Sequence, residues 1–116
     1  MHLVIGGAYQ GKLKYAMERF SFGEDEVFDM RDSDPVPGYR CYIHLEALSR
    51  RHEDCSEFLP CFENAVVISR EVGCGVVPTD GFDRLWRERH GVLLKKTAAS
   101  AKSVTRVFCG IGEDLK

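Results

Sequence analysis

At 116 residues, with 44% hydrophobic and 29% charged side chains and a formal net charge of −2, the chain has the makeup of one globular domain. That charge balance gives no reason to expect nucleic acid or an anionic membrane as a partner. No apolar run is long enough to cross a bilayer, and Gly6 ends the N-terminal apolar segment too early for a signal peptide, so a cytoplasmic location is expected.

The first element is a strand over HLVI (2–5), closed by Gly6 and Gly7. A short uncharged run ended by glycines suits a parallel strand buried on both faces. Leu13, Ala16, Met17 and Phe20 then recur at helical spacing among charged residues, which predicts an amphipathic helix over 12–20. EVFDM (26–30) is read as a second strand and RDSDPVPG (31–38) as a loop. RCYIHLEAL (40–48) suits either strand or helix. We read it as a strand over 40–46 that gives way to a helix, within which His44 reads as a hydrogen-bonded core histidine sooner than a nucleophile.

A helix near 54–63 contains Pro60 as a kink or stop. AVVIS (65–69), β-branched and uncharged, is the clearest strand, and EVGCGVVPTDG follows it as a glycine-rich loop. Phe82, Leu85, Trp86, Arg89, Leu93, Thr97 and Ala101 fit one long amphipathic helix, interrupted only by Gly91. VTRVFCGIG (104–112) closes the chain as a strand. Strands alternating with helices predict a three-layer α/β fold with a mainly parallel sheet, one domain over 1–116.

Cys41, Cys55, Cys61, Cys74 and Cys109 include no Cys-x-x-Cys pair, and His2, His44, His52 and His90 are scattered. Structural zinc needs closely spaced thiolates or imidazoles, so reduced cysteines and no metal held by protein ligands alone are expected.

Gly6 to Lys12 spells G-x-x-x-x-G-K between the first strand and the first helix. In that setting the amides of Gly6, Gly7, Ala8, Tyr9, Gln10 and Gly11 can curl around a phosphate, with Lys12 reaching the outer phosphates. The alternative is a glycine-rich turn beside a surface lysine. Intact loops continue with a serine or threonine whose hydroxyl binds Mg²⁺, and here the residue is Leu13. Glu46, at the end of the predicted strand 40–46, is the candidate carboxylate to face the metal through water. Its alternative is a solvated glutamate at a strand end.

The segment 70–116 resembles the end of the adenosylcobinamide kinase / adenosylcobinamide-phosphate guanylyltransferase family. The matching elements are EVGCGVVP (71–78), the R-x-W-R group Arg84 to Arg87, and the closing Gly110 to Gly112; GGAYQGK is similar to the family's phosphate loop. The resemblance implies a P-loop NTPase fold of the RecA-like kind, ATP or GTP with Mg²⁺, a corrinoid acceptor such as cobinamide, and a homo-oligomer. It also implies a kinase step and a guanylyl transfer through a histidine. The histidine segment used for the second step is missing here, and His52 does not match its surroundings. Arg70 stands where the family usually has asparagine, and Leu94-Lys95 where it has Asn-Gln. Lys12, Glu46 and Glu71 are thus the expected catalytic residues, Glu71 on the acceptor side, Glu46 also the metal-facing one, and Gly6 to Leu13 the nucleotide loop. Three readings follow: a kinase-type enzyme without guanylyl transfer, a degenerate nucleotide- or corrinoid-binding module or regulatory subunit, or a structural subunit that kept the fold and lost the ligand.

Overall fold

The computed structural model describes residues 1–8, 10–71 and 80–116. Along the chain come β1 (His2–Gly6), α1 (Lys12–Phe20), β2 (Val27–Asp29), β3 (Cys41–Ile43), α2 (Leu45–Arg51), β4 (Val66–Arg70), α3 (Gly81–Ser100), β5 (Ser103–Phe108) and β6 (Ile111–Asp114), with 3₁₀ helices at Glu24–Glu26 and Ser56–Phe62. They form an α/β fold around one six-stranded sheet of order β2-β3-β4-β1-β5-β6. The first five strands in that order are parallel, and β6 runs antiparallel to β5.

Alternation along the strands divides the core into two layers. Leu3, Tyr42, Val67 and Val104 point to one face, where Leu45 and Leu48 of α2 and Leu93 of α3 cover them. Val4, Cys41, Val66, Ile68 and Val107 point to the other, under Ala16, Leu13 and Met17 of α1. A sheet buried on both faces explains why its strands read as apolar runs rather than alternating ones. Asp80 starts α3 as its N-cap, its Oδ1 accepting from the amides of Phe82 at 2.7 Å and Asp83 at 3.1 Å. Among the described residues no helix is long and apolar enough to cross a membrane.

Four expectations are corrected. The strand read over 40–46 stops at Ile43, because His44 takes a left-handed backbone (φ 66°) and hands the chain to α2. His44 is therefore a half-exposed helix cap and not a core histidine, and Glu46 lies in the first turn of α2 rather than at a strand tip. The single closing strand over 104–112 is a hairpin: Cys109 (φ 52°) and Gly110 (φ 76°) turn the chain so that Phe108 pairs with Ile111. Most of the predicted loop EVGCGVVPTDG lies at 72–79, outside the described residues, as does Tyr9.

Candidate functional site

β1 lies in the interior of the sheet between β4 and β5. Its last residue, Gly6, is packed so tightly that a Cβ there would stand 2.5 Å from the Val107 carbonyl oxygen. Gly11 precedes α1 with φ 83°, a conformation in which a side chain is strained. No side chain caps α1, so its first amides and the positive end of its dipole are left facing the loop.

Neighbouring strands brace the loop. The Glu71 amide donates to the Gly6 carbonyl at 3.0 Å. From the β5–β6 turn, the Gly110 amide donates to the Gln10 carbonyl at 2.9 Å and the Cys109 amide to Gln10 Oε1 at 2.7 Å. Lys12 Nζ folds back to donate to the Gly7 carbonyl at 2.6 Å. Burial pulls the Lys12 ammonium below its ordinary value, opposed by the Glu46 carboxylate and reinforced by Arg70.

Beside the loop opens a cleft of about 570 Å³, the size that encloses one drug-sized ligand. Leu13, Ile43, Ala47, Ile68 and Trp86 give it apolar walls, and Ala8, Gln10 and Gly11 form its loop side. Its charged lining is Lys12, Lys14, Arg31, Arg50 and Arg70 against the single carboxylate of Glu46, which suits an anion with an apolar or aromatic portion. Two of these cations are already committed. Arg31 forks onto Asp29, with Nη2 to Oδ2 at 2.7 Å, and Arg50 pairs with Asp83 at 3.0 Å while stacking over Phe82 and Trp86.

The Glu46 carboxylate is spoken for. Oε1 accepts the Arg70 amide at 2.9 Å and Oε2 lies 3.0 Å from His44 Nδ1. Burial pushes this carboxyl up, but the Arg70 amide and the His44 imidazole outweigh it and hold the group below the usual glutamate value. Glu46 thereby ties the start of α2 to the tip of β4. Glu71 is not among the cleft's lining residues; its carboxylate pairs with Arg106 Nε at 3.4 Å, within electrostatic reach of Lys12.

The chain's own donors for Mg²⁺ are few among the described residues. Leu13 offers none, both Glu46 oxygens are hydrogen-bonded, and no group of three or more His, Cys, Asp or Glu side chains converges among the described residues. Magnesium keeps several waters and is held through one or two carboxylates and the nucleotide's own phosphates, so Glu46 would meet it only through water.

Sequence reasoning missed His90, which is fully buried behind the cleft wall. Its Nδ1 lies 2.7 Å from Ser49 Oγ on α2 and its Nε2 lies 2.8 Å from Ser69 Oγ on β4. Trp86 Nε1 donates to the same Ser49 Oγ and to the Glu46 carbonyl, both at 3.1 Å. This network fixes the indole and the α2–β4 junction together. The helical stripe held the signal, for Trp86, His90, Leu93, Thr97 and Ala101 follow the same spacing as the residues picked, with His90 in place of Arg89.

A family model described as cobinamide kinase / cobinamide phosphate guanyltransferase (CobU) matches residues 39–115, the greater part of the chain, from before β3 to the end of the hairpin. No curated protein matches. The Gly6–Lys12 loop lies outside the matched range and stands on its own motif and geometry. The chain belongs to the cobinamide kinase / cobinamide phosphate guanyltransferase family.

Proposed function

We propose that this member of the cobinamide kinase / cobinamide phosphate guanyltransferase family acts in cobalamin salvage as a P-loop protein that binds ATP or GTP and phosphorylates the hydroxyl of cobinamide or a related corrinoid. The observation behind the proposal is the G-x-x-x-x-G-K loop at the β1–α1 junction, opening onto a cleft lined by cations. Amides of the loop residues Gly6, Gly7, Ala8, Tyr9, Gln10 and Gly11 would hold the phosphates, and Lys12 would exchange the Gly7 carbonyl for their outer oxygens. Leu13 packs the floor. As the acceptor oxygen bonds to the terminal phosphorus, its proton passes to water and the bond to the departing nucleoside diphosphate breaks, while Lys12 and Arg70 meet the charge that gathers on the oxygens. Glu46 and Glu71 act in this reading by holding the β4 tip and the loop in place, through the Arg70 amide and the Gly6 carbonyl. A cleft sized for one ligand leaves the corrin ring outside, with only its hydroxyl arm entering. Guanylyl transfer is not part of the proposal, because the chain lacks the histidine segment for it.

The test incubates purified protein with cobinamide and ATP or GTP, with and without Mg²⁺. The expected result is phosphorylated corrinoid above a no-protein control, and a loss of about 100-fold in kcat/KM for Lys12→Ala. A second reading, a binding module without turnover, is favoured by one observation, the missing hydroxyl at Leu13. Tight nucleotide binding with no product in either nucleotide would establish that reading and sink the kinase.

A further inference from the structure

We infer that the Arg70 guanidinium neutralises the bound nucleotide's phosphates in place of a divalent cation, so that this chain binds ATP or GTP without magnesium. The inference rests on the reading of Gly6–Lys12 as the phosphate loop.

Placement comes first. β1 and β4 are parallel neighbours, and their register sets Arg70 directly opposite Gly6, the first residue of the loop. Arg70 lines the same cleft as Lys12 and is close enough to act on its charge. Its backbone is held at that spot by the Glu46 carboxylate, 2.9 Å from the Arg70 amide.

Availability comes second. Arg31 and Arg50 in the cleft are bound by Asp29 and Asp83. The Arg70 guanidinium is exposed and has no hydrogen-bond or ion-pair partner among the described residues. A planar, permanently charged fork matches two phosphate oxygens at once, which an ammonium cannot do.

The third observation is the donor set. Leu13 supplies no oxygen and Glu46 has both of its own engaged, the second by His44 Nδ1 at 3.0 Å. The one carboxylate of the cleft therefore anchors the arginine's backbone, and the loop's usual hydroxyl ligand for a metal is missing.

The experiment measures affinity for ATP, for GTP and for tripolyphosphate by calorimetry, in excess Mg²⁺ and in EDTA. The parent chain is expected to bind within roughly threefold of the same affinity in both buffers. Arg70→Ala is expected to weaken binding in EDTA by roughly tenfold or more, with Arg70→Lys between them, and tripolyphosphate following the nucleotides. The guanidinium holds no hydrogen bond or ion pair among the described residues, and melting temperatures of the variants serve as the folding control. A tenfold loss of parental affinity on chelation, or Arg70→Ala binding in EDTA as tightly as the parent, overturns the inference. A parent that binds in neither buffer, or a Lys12→Ala variant that binds as tightly as the parent, overturns the phosphate-loop reading instead, and the inference with it.

Discussion

Single residues fix both the stability and the geometry of the cleft. Gly6 is the tightest point: a methyl there meets the backbone oxygen of Val107, which cannot swing aside as a side chain could. Gly6→Ala should therefore cost about 2 kcal/mol or more of stability, by the overpacking rule, and also shift the loop; denaturant melts and nucleotide affinity check the two effects separately. His90 is the other decisive residue. Burial lowers its pKa from 6.5 to about 4, with Glu46 opposing the shift. The unfolded imidazole thus takes up a proton over the window from pH 6.5 to 4 while the folded one stays neutral. The contribution of His90 to stability should be complete above about pH 6.5 and fall as the medium is acidified, by about 3 kcal/mol at pH 4. Denaturant midpoints across that window should show the slope in the parent chain, and His90→Gln should flatten it. An equal slope in both proteins would place the acid sensitivity elsewhere.

The elements show which signals a sequence exposes. The helix over 12–20 matches α1, and the long helix from Phe82 matches α3 to within a residue or so, because each displays an apolar stripe at helical period. AVVIS was legible as β4 for a different reason, since β-branched runs between turn formers have few other uses. RCYIHLEAL defeated the same logic. A strand of three residues running straight into a helix leaves too little of either period to read, and the change happens at a left-handed histidine that no propensity announces. At the C-terminal end, Cys109 disguised the hairpin, where asparagine before Gly110 would have signalled a two-residue turn. Because both turn residues have positive φ, Cys109→Asn should raise stability by about 0.5 kcal/mol, measurable as a higher denaturation midpoint. The turn also donates two amides to Gln10, so its stiffness is transmitted to the loop.

For the molecule as a whole, the strand order explains the site. With β4 inserted between β1 and β3, the residue beside the loop is Arg70, while Glu46 stands one strand further away and bridges back to it. The sequence motif located the loop and Lys12, and a carboxylate near them. It could not show that the carboxylate is occupied by a backbone amide, since that depends on strand neighbours far apart in the chain. Nor could it reveal His90, whose two serine partners lie on different elements. Function at this site requires that the backbone between β1 and α1 receive an anion. Amide spectra by NMR during titration with tripolyphosphate and then with GTP measure this directly. We expect saturable shifts of the amides from Gly7 to Lys12, alike for both ligands, and their loss in Lys12→Ala. Shifts confined to other parts of the chain, or none at saturating ligand, would contradict it.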